Sequence, residues 1–252
     1  MKIALIGYGK MGKEVERLAQ LSDIQVVSII DPKEGEDAFL EITAQALKNA
    51  DVAIDFTSPA AAIYNMKKVA SLKKNMVVAT TGWYDQLEEA KKIVKNSGIG
   101  LIYSPNFSIG VNMYFRMVEE AAKLMDKASN YDVYSYEFHH NQKVDAPSGT
   151  AKQIAGVLIK NIARKKKPLY GNVERKIEPD ELHVQSVRAG FFPGTHSVGF
   201  DSESDTIEIK HTARNRLGFA QGALLAAKWI SGKKGLYTMD DFLSDYFKPR
   251  KK

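Results

Sequence analysis

The sequence predicts an α/β protein with a mostly parallel sheet, followed by a second unit of α+β character. Three observations carry this expectation. A glycine-rich turn, Gly7-Tyr8-Gly9-Lys10-Met11-Gly12, lies between a short apolar run and a helical stretch. Strand-like and helix-like segments then alternate as far as about Ser104, and after that the rhythm changes to consecutive strand-like runs. A chain of 252 residues that is 44% hydrophobic is long enough for one large core or two moderate ones.

In chain order, residues 2–6 are a first strand, 11–20 a helix and 24–30 a second strand, which makes a βαβ unit. Residues 52–56 (VAIDF), 76–80 (MVVAT) and 100–104 (GLIYS) read as further strands, with helices near 60–72 and 85–95 between them. Short, continuously apolar runs of this kind fit strands covered on both faces. A longer helix at 110–127 leads to a strand at 131–138, a polar segment and a helix at 150–162. Strand-like runs at 182–189, 195–200 and 206–212 have short connections and predict an antiparallel or mixed sheet. The amphipathic stretch 217–232 and a shorter helix at 239–247 are suited to packing back on the first domain.

The apolar run before Gly7 is too short for a signal-peptide core, and no later run approaches a membrane-spanning length. With no cysteine, disulfides and thiolate metal sites are excluded, and the chain reads as soluble and cytoplasmic, without a membrane partner. The net charge of +6 comes from 36 Lys and Arg against 30 Asp and Glu. Two basic blocks hold the excess, Arg164 to Lys167 and Lys248 with Arg250 to Lys252, and without these eight residues the balance is 28 against 30. Such blocks read as solvated loops or tails, so no nucleic-acid partner is expected.

The glycine turn fits dinucleotide binding. Gly7, Gly9 and Gly12 permit a tight turn, a close backbone approach to a pyrophosphate and close helix-strand packing, with Tyr8, Lys10 and Met11 between them. Asp31 ends the second strand 19 positions after Gly12, where a carboxylate accepts hydrogen bonds from the adenosine ribose. An acidic residue there favours NADH, while Lys10 and Lys33 lie close enough in sequence to offset repulsion of a 2′-phosphate, so NADPH stays open. Thr80, Thr81 and Gly82, and Pro105, Asn106 and Phe107, end predicted strands where an open parallel sheet binds its ligand. The same residues serve equally well as ordinary turn chemistry.

Residues 137–151, EFHHNQKVDAPSGTA, are unusually polar for a strand-to-helix connection. With a dinucleotide site elsewhere, hydride transfer is the leading chemistry, and His139, His140 and Lys143 are suited to the proton delivery that reduction of a C=N or C=C bond needs. Pro147-Ser148-Gly149-Thr150 ahead of a helix makes an anion site and implies a carboxylate-bearing substrate. Capping by Ser148 or Thr150 is the plain alternative. Adjacent strand residues face opposite ways, so His139 and His140 do not share a metal, and no metal site is expected. His183, His196 and His211 are isolated and read as structural.

These residues resemble the 4-hydroxy-tetrahydrodipicolinate (dihydrodipicolinate) reductase family over nearly the whole chain. The matching pieces are GYGKMG, VAIDFTSP, VVATTGW, SPNFSIGVN, EFHHNQKVDAPSGTA, Arg188 to Gly190, GTHSVGF, DTIEIKHTARNR and FAQGAL, and HHxxKxDAPSGT is the most specific. The resemblance implies a Rossmann-type domain from residues 1–105 plus 216–252, and an inserted substrate and oligomerisation domain from 106–215, in a homotetramer. It further implies reduction of a cyclic imine dicarboxylate by NADH or NADPH with loss of water. By the same resemblance His139 is the proton donor or acceptor and Lys143 a proton donor, with His140, Gly149 and Thr150 contacting substrate. It also adds Ala79 and Ser104 to the cofactor positions. The glycine loop is one residue shorter than a form common in the family, and Asp31-Pro32 replaces a Glu-Arg pair, which leaves cofactor preference open. Another imine or carbonyl-acid reductase would share the glycine loop without needing the HHxxK and SGT combination. A dinucleotide sensor would not need His139 and Lys143.

Overall fold

The computed structural model describes residues 1–33 and 38–248. Its elements are β1 (Lys2–Ile6), α1 (Lys10–Ala19), β2 (Gln25–Ile30), β3 (Val52–Asp55), α2 (Pro59–Ser71), β4 (Asn75–Val78), α3 (Leu87–Ser97), β5 (Gly100–Tyr103), α4 (Ile109–Asp126), β6 (Asp132–His139), α5 (Gly149–Asn161), β7 (Lys167–Tyr170), β8 (Glu181–Arg188), β9 (Thr195–Asp201), β10 (Thr206–Thr212), α6 (Leu217–Ile230), β11 (Gly235–Thr238) and α7 (Met239–Tyr246). The chain divides into two compact units: Met1–Ile109 with Leu217–Lys252, and Gly110–Arg216.

The first unit is a six-stranded parallel sheet in the order β11-β5-β4-β3-β1-β2. Alternation along β1 sends Ile3 and Leu5 into one core, with α1, α6 and α7, and Ala4 and Ile6 into another, with α2 and α3. A helix layer on each face explains why these strands are apolar without a break: Val52, Ala53 and Ile54 are all fully buried. Truncating the fully buried Ile54 to alanine costs about 2–5 kcal/mol.

The second unit is a five-stranded mixed sheet, β10-β9-β6-β8-β7, with β9 antiparallel to both β10 and β6, and β8 parallel to β6 and β7. Val133 of β6, Val184 of β8 and Val198 and Phe200 of β9 face one core with α4 and α5. The opposite face carries Tyr134, Tyr136 and Phe138 in a row, with ring centroids 6.4 and 5.7 Å apart. Tyr134 lies across Gly199, where a Cβ would sit 2.1 Å from its ring.

The predicted elements recur with small shifts at their ends, and two strands are additional. β7 is an edge strand of Lys-Pro-Leu-Tyr, where proline and lysine mask the pattern. β11 is four residues beginning with a glycine at φ 120°, and its pairing with β5 is long-range. The first basic block is not a solvated loop. Lys165 is buried, and its Nζ donates to Glu181 O at 2.8 Å and pairs with Asp132 at 2.6 Å. The Arg164 guanidinium donates to the carbonyls of Met125 and Tyr131, closing the ends of α4 and of the loop after it. The sequence signals only their charge, and burial of a lysine needs carbonyl and carboxylate partners supplied by distant residues. Lys248 is exposed, and Arg250 to Lys252 lie outside the described residues. Among the described residues no helix is long and apolar enough to cross a membrane.

Candidate active site

The glycine loop joins β1 to α1, and its three glycines meet different surroundings. Gly7 has φ 86°, and a Cβ there would lie 2.7 Å from Phe56 O; at Gly12 one would lie 2.6 Å from Gly7 O. A Cβ at Gly9 would meet none of the described residues within 4 Å. Gly7 and Gly12 therefore serve the turn and its packing, whereas Gly9 keeps a surface open at the start of α1, where it is the N-cap and no side chain caps the helix. That is a cradle for an anion. Exposed Lys10 and partly buried Tyr8 and Met11 flank it.

Asp31 stands beside this loop. Its Oδ2 accepts from Tyr8 N at 2.8 Å and its Oδ1 from Lys33 N at 2.9 Å, so the carboxyl is fixed against the loop while each oxygen keeps a further lone pair. At the carboxyl end of β3, the fully buried Asp55 is held by neutral donors. Thr57 N and Oγ1, and Thr80 Oγ1, donate to Oδ1 at 3.0, 2.8 and 2.5 Å, and Asn65 Nδ2 donates to Oδ2 at 2.8 Å. Hence the Thr80 hydroxyl is turned inward, and Ala79 and Thr81 are more accessible. After β5, Ser104 Oγ donates to Asn106 O at 2.8 Å, while Phe107 belongs to the core and its carbonyl packs on Gly222 of α6. Pro105 and Asn106 are the accessible part of that turn.

In the second unit, Glu137, a fully buried residue near the end of β6, is the centre of a polar cluster. Its Oε1 accepts from Ser148 N at 2.9 Å, Ser186 Oγ at 2.8 Å and an Arg188 guanidinium nitrogen at 2.8 Å, and Oε2 accepts from the Ser148 hydroxyl. His139 Nδ1 and His196 Nε2 each lie 3.3 Å from Oε2. The His139 contact is off the axis of a well-formed hydrogen bond. Burial is the largest single influence on Glu137 and pushes its carboxyl up, but His139, His196, Ser148 and Arg188 together hold it far below the usual carboxylate range. Burial also lowers His196, against the pull of Glu137.

The connection after β6 carries the other predicted residues. His140 N donates to Phe192 O at 2.8 Å, and Lys143 Nζ donates to Asp145 Oδ1 at 2.6 Å. That lysine holds the Asp145 carboxyl below its ordinary value. Arg188 also donates to Asp145 O at 2.6 Å, tying this loop to β8. Ser148 is the N-cap of α5, its hydroxyl accepting from Ala151 N at 3.1 Å. Buried and doubly engaged, that hydroxyl is spent inside the protein, and exposed Gly149 and half-buried Thr150 present the first amides of α5.

Thus His139, Ser148, Arg188 and Glu137 come together, and Lys143 is joined to them through Asp145, which Arg188 holds. Sequence reasoning gives no site role to Glu137, Arg188, Ser186 or His196. Glu137 and His139 share a strand face two residues apart, which is a readable signal. His196 is no isolated structural histidine: it pairs with Glu137 through the β6-β9 register, which no local pattern reveals. His183 Nε2 meets Gly171 O at 2.9 Å and His211 packs near Tyr114, as structural histidines do. Glu137, His139 and His196 bring one ligand-type atom each within 4.8 Å of one another. With Arg188 and two serines already on the carboxylate, their arrangement is that of a hydrogen-bonded network.

Comparison with known proteins gives a consistent answer. The families described as "Dihydrodipicolinate reductase, N-terminus" and "Dihydrodipicolinate reductase, C-terminus" match residues 1–107 and 110–243. The chain is 38% identical to the 4-hydroxy-tetrahydrodipicolinate reductase of Christiangramia forsetii, covering 98% of this chain and 100% of that one. It is 37% identical to the reductase of the same name from Methanoregula boonei, covering 96% and 97%. Among solved structures, the dipicolinate-bound dihydrodipicolinate reductase of Paenisporosarcina sp. TG-14 superposes with a TM-score of 0.79 at 23% identity, covering 94% of this chain and 97% of that one. An engineered D-amino acid dehydrogenase bound to NADP+ shares the fold at a TM-score of 0.57, 13% identity and coverage of 97% and 98%. On these matches across both halves, the chain belongs to the dihydrodipicolinate reductase family.

Proposed function

We propose that this protein reduces 4-hydroxy-tetrahydrodipicolinate to tetrahydrodipicolinate, a step of lysine and diaminopimelate biosynthesis. In balance, the substrate, NAD(P)H and one proton give tetrahydrodipicolinate, NAD(P)+ and water. The observation that carries this reading is the joining of a proton-handling pair, His139 and Lys143, to the anion-holding start of α5 through the Glu137 cluster, in a chain of this family.

The first unit supplies the nicotinamide site: Gly7 to Gly12 and the start of α1 hold the pyrophosphate, with the opening at Gly9 giving the room it needs. Asp31 accepts from the adenosine ribose. Ala79 to Thr81 and Ser104 to Phe107 border the nicotinamide end. When bound, the dinucleotide supplies a hydride. The second unit supplies the rest: amides of Gly149 and Thr150 hold a substrate carboxylate, His140 orients the ring, and Lys143 and His139 deliver and accept protons. With a carboxylate at Asp31 we assign NADH as the preferred donor and NADPH as a usable one. The aromatic sheet face of the second unit is the basis on which we propose a homotetramer; the protein is proposed to work in the cytoplasm.

A coupled assay supplying freshly made 4-hydroxy-tetrahydrodipicolinate, and following NADH and NADPH oxidation, tests this. Turnover with NADH at the lower KM is expected. No oxidation of either cofactor would refute the reaction, and a strong NADPH preference would refute the role of Asp31.

A further inference from the structure

Glu137 has no part in the chemistry above, yet its buried carboxylate reaches both halves of the site. An ionised carboxylate only accepts hydrogen bonds, so every nitrogen or oxygen close to it in a buried place must present a hydrogen. Burial tends to neutralise such a group, but four partners hold it ionised: His139, His196, Ser148 and Arg188. His139 Nδ1 lies 3.3 Å from Oε2 and is itself buried. A lone pair on Nδ1 would face a lone pair on the carboxylate.

Resting on the reading of His139 as the proton-handling group, we infer that Glu137 is a positioning residue that fixes the neutral His139 ring as its Nδ1–H tautomer, leaving Nε2 to exchange protons. The surroundings of Nε2 agree. It lies beside Gly194, where a Cβ would come within 3.1 Å of it. The residue at 194 has φ 156°, so a side chain there is both strained and in the way. The other groups facing the ring fit the same hydrogen count. His196 Nε2, 3.3 Å from Oε2, presents its own hydrogen, and Arg188 has hydrogens only to give. Ser148 Oγ gives its hydrogen to Glu137 and receives that of Ala151 N. Lys143 and Asp145 pair with each other in the loop. One carboxylate thereby sets the tautomer of the proton-handling histidine and anchors the turn proposed to hold the substrate carboxylate. Loss of Glu137 should therefore strike kcat and the KM for the imine together, and spare the KM for the cofactor.

Nitrogen NMR of the full-length protein labelled with 15N-histidine tests the tautomer directly, with the His139 signals assigned by their loss in His139→Asn. At a pH where the ring is neutral, a protonated Nδ1 and a bare Nε2 are expected. An Nε2–H tautomer, or an even mixture of the two, would overturn the inference. In Glu137→Gln the amide NH2 is able to face Nδ1, so a shift toward the Nε2–H tautomer is expected, with kcat lower by about 100-fold and cofactor KM unchanged. Glu137→Asp should restore part of the Nδ1–H signal. Equal loss in every kinetic constant with the tautomer unmoved would reduce Glu137 to a purely structural role. The NMR measurement on the unaltered protein needs no substrate and no variant to fold at position 137. Inactivity of that protein toward the imine would therefore count against the reaction alone.

Discussion

Lys143 and His211 show how differently two charged or titratable side chains are used. Lys143 is partly exposed and, among the described residues, its ammonium pairs with the exposed Asp145, so its removal leaves no described buried group unsatisfied. Lys143→Ala is expected to lower kcat by about 100-fold or more with the melting temperature nearly unchanged, and near-normal turnover would refute its role. His211 is held below its ordinary value of 6.5 by burial first, then by His196. A depressed imidazole means that the unfolded chain takes up a proton first on acidification. The stabilisation is full above pH of about 6.5 and is lost as pH falls through the lower folded value. His196 contributes with the same sign. The melting temperature should therefore fall between pH 7 and 5, and fall less in His211→Gln; parallel curves would refute this. Of these details, the sequence discloses His139 and Lys143 through their density of polar neighbours. It hides His196 and Arg188, because both reach Glu137 across strand pairings that only the folded register creates.

At the scale of elements, the glycine loop separates folding from binding. Gly12→Ala would put a Cβ 2.6 Å from a backbone oxygen, so it should lower the melting temperature along with cofactor binding. Gly9→Ala meets none of the described residues and should melt normally, yet raise the cofactor KM by its intrusion on the pyrophosphate. If both variants fail alike, the division of roles is wrong. This loop is legible in a single sequence because its signals are local: a strand, three glycines, a helix and an acid at the next strand end. β7 and β11 are hidden for the converse reason. Each is four residues long, and each is strand only because β8 or β5 lies beside it.

At the scale of the whole molecule, α4 and α5 cover one face of the second sheet, and the other offers Tyr134, Tyr136, Phe138 and Phe192. Aromatic surface of that kind is what subunit contacts use. Tyr136→Asp is expected to give smaller species than the unaltered protein in sedimentation velocity, and an unchanged size would place the contact of the proposed tetramer elsewhere. Rhythm along the chain discloses the two units, whereas strand order does not follow from it: β11, formed late, lies at the edge beside β5. The late arrival of α6 and α7 has a consequence for synthesis. Ala220, Ala223, Ala227, Phe242 and Leu243 fill the face of the first sheet that also buries Ile3 and Leu5. Until residues 217–243 leave the ribosome, that face has only α1 to cover it, while the inserted unit already has every strand and helix it needs. The middle of the gene is thus the first part able to finish folding, and the earliest residues made must wait for the latest.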